Sequence, residues 1–164
     1  MSNPGSRSTE ARQSLIGQVR SALGEMFGGG TITPDQQLSL EVLFGLLGAL
    51  AQADSIVTTH ETDFVNTLMD EQDLSTNARR IAKESFDRGR HRQIDPEAEA
   101  RRVVARFGKG SAQVERLYDA LLRLAAADSR IRPREREFLE IVTLALGFEA
   151  HALDVRLRVI GQAL

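Results

Sequence analysis

The sequence predicts an all-α protein, a compact bundle of about seven helices built from a pseudo-duplicated helical hairpin and preceded by an N-terminal amphipathic helix. Three observations carry this prediction. Strand signals are nearly absent, with no sustained two-residue alternation and no Asn-Gly or Asp-Gly hairpin turn. Apolar residues instead recur at three-to-four spacing along most of the chain, as one face of a helix requires. Finally, a segment beginning Ala53-Asp54-Ser55 returns as Ala127-Asp128-Ser129 at a constant offset of 74 residues, each copy preceded by an apolar helical stretch.

Leu15, Ile16, Val19, Leu23 and Met26 define an amphipathic helix over residues 8–27, ended by Gly28-Gly29-Gly30. That run reads as a hinge, so residues 1–30 are expected to form a tail and arm, and residues 31–164 the helical domain. The arm has three candidate docking places: a membrane, a partner and its own bundle. With only Arg12 and Arg20 as basic residues in the helix, peripheral membrane binding is the weakest.

A second helix over residues 35–53 is apolar nearly all round, from Leu40 to Leu50, which suits a central helix covered on several sides. Gly45 and Gly48 within it are expected to permit close helix packing. Thr58 and Glu61 form a capping box that opens a third helix carrying Phe64, Val65, Leu68 and Met69. Ser75 begins a fourth, with Ala78, Ile81, Ala82 and Phe86 inward and Arg79, Arg80 and Lys83 outward. Asp95-Pro96 is an N-cap with proline at the first helical position and starts a fifth, which Gly108 and Gly110 stop. A sixth is expected over residues 112–128, a seventh from Pro133 to Gly147, and an eighth from about Glu149 to Ile160.

Composition narrows the chemistry. The 164 residues contain no Cys, which removes disulfides, thiolate metal sites and cysteine nucleophiles. No apolar stretch is long enough to span a bilayer and no secretory leader is visible, so a cytoplasmic location is expected. The formal net charge of −2 conceals a strong asymmetry: residues 1–78 carry −7, residues 79–136 carry +7 and residues 137–164 carry −2. Since 19 of the 21 basic residues are Arg, biased composition explains the basic stretch as well as nucleic-acid binding does, and no nucleic-acid partner is expected.

The repeated segment places an Asp at the end of one helix and a Glu seven residues later, in the first turn of the next. Glu is favourable at a helix N-terminus, whereas Asp near a C-terminus opposes the macrodipole by about 0.3–1 kcal/mol. Two arrangements offset that cost. The Asp side chain can accept backbone N–H groups in the turn, with nearby Arg130, Arg132, Arg134 and Arg136 supplying ion pairs. Alternatively, Asp54, Glu61, Asp128 and Glu135 converge and hold a hard divalent cation, Ca²⁺ or Mg²⁺.

On these residues, 38–150 resemble the TerB-like family, which includes the tellurite-resistance protein TerB and the N-terminal region of the co-chaperone DjlA. The family pattern is an apolar helix ending in Ala-Asp-Gly, a hydrophobic residue two positions later, and a helix opened by Glu, all present twice. Here the copies are Ala53-Asp54-Ser55 with Val57 and Glu61, and Ala127-Asp128-Ser129 with Ile131 and Glu135. Ser replaces Gly in both. The resemblance implies a pseudo-duplicated helical bundle, an acidic cluster proposed to bind metal, and an interaction or stress-response role without catalysis. A J-domain needs His-Pro-Asp, but His60, His91 and His151 are followed by Glu61, Arg92 and Ala152. A stand-alone domain, or one cut before a following domain, is therefore expected.

A protein partner is expected, and Arg79, Arg80, Lys83, Arg101 and Arg102 are the candidate residues for it, on an Arg-rich face that also suits a metal-independent adaptor or scaffold. The competing reading is that these residues form a solvated surface or screen the acidic half of the chain. His151 and Asp154 read as solvated, and Tyr118 as a phenol at the core edge. No Ser–His–Asp or Cys–His arrangement can be assembled, so no catalytic residues are assigned and no enzyme activity is expected.

Overall fold

The computed structural model describes residues 31–53, 74–126 and 131–162, together with positions 17, 21, 23, 24, 26, 27 and 66. Six helices are described: α1 (Pro34–Ala53), α2 (Thr76–Arg90), α3 (Pro96–Phe107), α4 (Ala112–Ala126), α5 (Pro133–Ala145) and α6 (Ala152–Gln162). There is no strand among the described residues. Apart from position 66, which is helical, the helix expected after Thr58 lies outside them, as does the glycine hinge at residues 28–30. The last helix begins at Ala152, later than the expected Glu149, because the chain first closes the end of α5 in a turn.

Local chemistry sets the helix boundaries. At the start of α1, the Gln36 amide N–H donates to Thr33 Oγ1 at 3.2 Å and the Thr33 N–H donates to Gln36 Oε1 at 3.0 Å. This reciprocal box, with Pro34 at the first helical position, satisfies donors that a helix N-terminus leaves orphaned. Ser75 caps α2 by accepting from the Ala78 N–H, and Asp95 caps α3 by accepting from the Glu97 N–H. At the other end of α2, Arg92 adopts φ 57° while the Gln93 N–H reaches back to the Arg88 carbonyl at 2.8 Å. That is the bond pattern of a left-handed C-terminal cap, made with arginine where glycine is usual.

α1 is central, packing against α2, α3, α4 and α5. Leu40, Leu43, Phe44 and Leu46 are completely buried, as expected for a helix apolar nearly all round. Its contact with α2 is at backbone distance. A Cβ added to Gly48 would stand 2.0 Å from the Phe86 carbonyl oxygen, and one added to Gly89 would stand 2.0 Å from the Gly45 carbonyl oxygen. Close approach at Gly45 and Gly48 follows the sequence expectation, and Gly89 is its counterpart on α2.

The end of the N-terminal amphipathic stretch joins this core. Leu23 and Phe27 are buried in the same cluster as the α1 leucines, and Gln36 Nε2 donates to the Met26 carbonyl at 3.1 Å. Of the three docking places considered for this stretch, the described positions occupy the bundle itself.

The duplication extends through whole helices. At the offset of 74, Glu41 corresponds to Glu115, Leu43 to Leu117, Phe44 to Tyr118, Leu47 to Leu121 and Leu50 to Leu124, and these apolar pairs are buried in both helices, whereas buried Val42 and Gly45 correspond to exposed Arg116 and half-buried Asp119. α2 and α6 then close the two copies by packing against α1 and α4 respectively. In the second copy that closure uses side chains. Tyr118 stacks on Phe148 with ring centroids 4.5 Å apart, and the Arg156 guanidinium lies 5.1 Å and 4.8 Å from the two rings. Glu115 pairs with Arg156 at 2.6 Å. Tyr118 is completely buried, not at the core edge, because its phenol finds a partner inside: Oη lies 2.6 Å from Thr143 Oγ1, which donates to the Leu139 carbonyl.

Candidate functional site

Of the four carboxylates expected to hold a cation, Asp54, Glu61 and Asp128 lie outside the described residues. α1 ends at Ala53, immediately before Asp54, and α4 ends at Ala126, two residues before Asp128. Glu135 is half-buried in the first turn of α5, where its Oε2 accepts from the Arg132 backbone N–H at 2.9 Å. The carboxylate thus acts as the third-position member of a helix N-terminal box, the role its spacing predicts. Its other oxygen takes no hydrogen bond among the described residues. No group of three or more His, Cys, Asp or Glu side chains suited to a metal occurs among the described residues.

The basic candidates divide between two helices that each pack against α1, and their charges meet different fates. On α2, half-buried Arg79 donates through Nε to the Leu74 carbonyl, and Arg80 pairs with Glu84 at 3.0 Å. Lys83 is exposed on the same helix, with no ion-pair partner among the described residues. On α3, Arg101 pairs with Glu97, and Arg102 bridges Glu99 at 2.9 Å and Glu41 at 3.5 Å. Arg106 reaches Asp35 at 2.8 Å. The last two arginines therefore tie the basic middle of the chain to carboxylates of acidic α1. Screening of the acidic half, visible in sequence only as a sum of charges, takes a specific form here. Such pairs between exposed groups contribute at most about 1 kcal/mol each.

α1, α2 and the start of α3 enclose an open polar depression of about 370 Å³. Its walls include Glu41, Gly45, Ser85, Arg88, Glu99 and Arg102. Arg88 donates to the buried hydroxyl of Ser85 at 3.1 Å, while Arg102 holds both glutamates. Sequence reasoning did not find this depression, since Glu41 and Arg102 lie 61 residues apart in the chain.

Asp154 on α6 pairs with Arg136 on α5, and in the connection before α6 His151 lies 3.3 Å from Glu149; both His151 and Asp154 are exposed, as the sequence reading expects. The same two helices carry the exposed large apolar side chains Ile141, Leu144, Val155 and Val159. Among the described residues, no helix is long and apolar enough to cross a membrane.

Comparison with known proteins places this geometry. Residues 40–157 match the family model described as tellurite resistance protein TerB. The chain is 30% identical over 131 residues to the co-chaperone protein DjlA of Aliivibrio fischeri, covering 80% of this chain and 46% of the relative. It is 27% identical over 133 residues to DjlA of Vibrio cholerae, covering 80% and 47%. With DjlA of Mannheimia succiniciproducens it shares 29% identity over 123 residues, covering 73% and 41%. The chain thus spans less than half the length of these relatives. No solved structure matches it. The family match starts at Leu40 in α1 and runs to Leu157 in α6, so it takes in both Ala-Asp-Ser segments of the repeated sequence, and the chain belongs to the TerB family.

Proposed function

We propose that this chain is a TerB-like protein-interaction module of a bacterial stress response, with Asp54, Glu61, Asp128 and Glu135 binding a divalent cation, Ca²⁺ or Mg²⁺, while other surfaces engage a protein partner. The observation that supports it best is the duplication. Buried apolar residues of α1 recur in α4, where Leu43, Phe44, Leu47 and Leu50 correspond to Leu117, Tyr118, Leu121 and Leu124, all buried, and in the sequence each helix leads into the same Ala-Asp-Ser segment with a Glu seven residues after the Asp. A carboxylate-only donor set suits hard cations that take oxygen ligands, and Glu135 keeps one oxygen without a hydrogen-bond donor among the described residues. The stress-response element rests on the name of the matching family, and the partner element on the co-chaperone relatives. The proposal is for a binding protein in the cytoplasm, not an enzyme.

Thermal melting in millimolar Ca²⁺ or Mg²⁺ tests the cation. A cation that binds only the folded state stabilises it by about 2.7 kcal/mol at one hundred times its Kd, so the melting temperature should rise with concentration. Asp54→Asn combined with Asp128→Asn should abolish the rise. No shift in the wild type removes the cation from the proposal and leaves the interaction module.

A second reading, a metal-independent co-chaperone-like adaptor using the Arg-rich face, is favoured by one observation on α2. Lys83 is exposed without an ion-pair partner among the described residues, and Arg88 of the same helix bonds a neutral hydroxyl. Partner capture by the wild type and by an Arg79→Glu, Arg80→Glu, Lys83→Glu variant separates the two readings. Loss of a partner supports the adaptor, and an unchanged partner set overturns it.

A further inference from the structure

We draw no further inference here: the strongest candidate, the open polar depression between α1, α2 and the start of α3, is lined by carboxylates and guanidiniums already engaged with one another, with Ser85 or with the N-terminus of α3, and nothing in the structure selects the chemistry of an occupant.

Discussion

Gly48→Ala should lower stability sharply, although alanine is the better helix former. An added methyl would meet the Phe86 carbonyl oxygen at 2.0 Å, the Phe86 carbonyl carbon at 2.9 Å and the Arg90 nitrogen at 2.9 Å. All three are backbone atoms of α2, so no side chain can swing aside to make room. Relief requires α1 and α2 to separate by about 1 Å, loosening the packing around Phe86 and the α1 leucines. Overpacking a dense core costs about 1–3 kcal/mol, against about 0.5–1 kcal/mol gained from replacing a helical glycine. The cost should fall at the top of its range because backbone is the obstacle, leaving a net loss of about 2 kcal/mol. In a domain this size that corresponds to a drop of roughly 4–8 °C in melting temperature. Urea unfolding followed by far-ultraviolet circular dichroism measures the loss directly, with an unchanged slope showing that the midpoint shift reports stability. Gly161→Ala on α6 is the control: nothing lies within 4 Å of its added methyl, so the same exchange should stabilise by up to about 1 kcal/mol. If Gly48→Ala also matched or exceeded wild-type stability, the close approach of the two helices would be refuted.

Arg92→Gly should raise the unfolding free energy by about 1 kcal/mol, because it relieves a left-handed arginine at the end of α2; a fall would show that the arginine side chain contributes more than its backbone costs. Tyr118→Phe should lose about 0.5–1.5 kcal/mol near neutral pH, since Thr143 keeps its bond to the Leu139 carbonyl when the phenol is removed. The same variant tests alkaline stability. Burial is the main cause of a raised Tyr118 pKa, so at high pH the folded chain holds a proton that the unfolded chain has released. The phenol's contribution is therefore intact below the unfolded pKa of about 10 and lost as pH rises through the folded value. Stability of the wild type should fall more steeply than that of Tyr118→Phe above that point, and parallel profiles would refute the assignment.

The parts of the fold that were legible in the sequence are those set by neighbours in the chain. Ser75 and Asp95-Pro96 mark the starts of α2 and α3 because a cap needs only its own first turn. The box between Thr33 and Gln36 carries the same kind of local signal and went unread. Gly45 and Gly48 announced close packing, but Gly89 did not, since a glycine near the end of a polar helix reads as a stop signal. Tyr118 was placed too near the surface because its hydroxyl partner, Thr143, lies 25 residues away on another helix. The pairs of Arg102 with Glu41 and Arg106 with Asp35 were invisible for the same reason, at separations of 61 and 71 residues. Sequence arithmetic supplied opposite charges in two parts of the chain, and only the packing of α3 on α1 decides which ones meet.

The repeat was read from a short turn, yet its physical content lies mostly in the helices before that turn. Positions facing the core keep their character between copies: Leu43 and Leu117, Phe44 and Tyr118, Leu47 and Leu121. Positions facing the closing helix do not. Gly45 and Gly48 of α1 correspond to Asp119 and Leu122 of α4, which cannot admit another backbone at the distance α2 reaches. The second copy closes instead through Tyr118, Phe148 and Arg156, with Glu115 holding the guanidinium. A backbone contact has few ways to yield, whereas a stacked side-chain cluster can rearrange by rotamer changes. The two Ala-Asp-Ser segments of the sequence therefore follow helices that are alike toward the core and differently braced toward their neighbours.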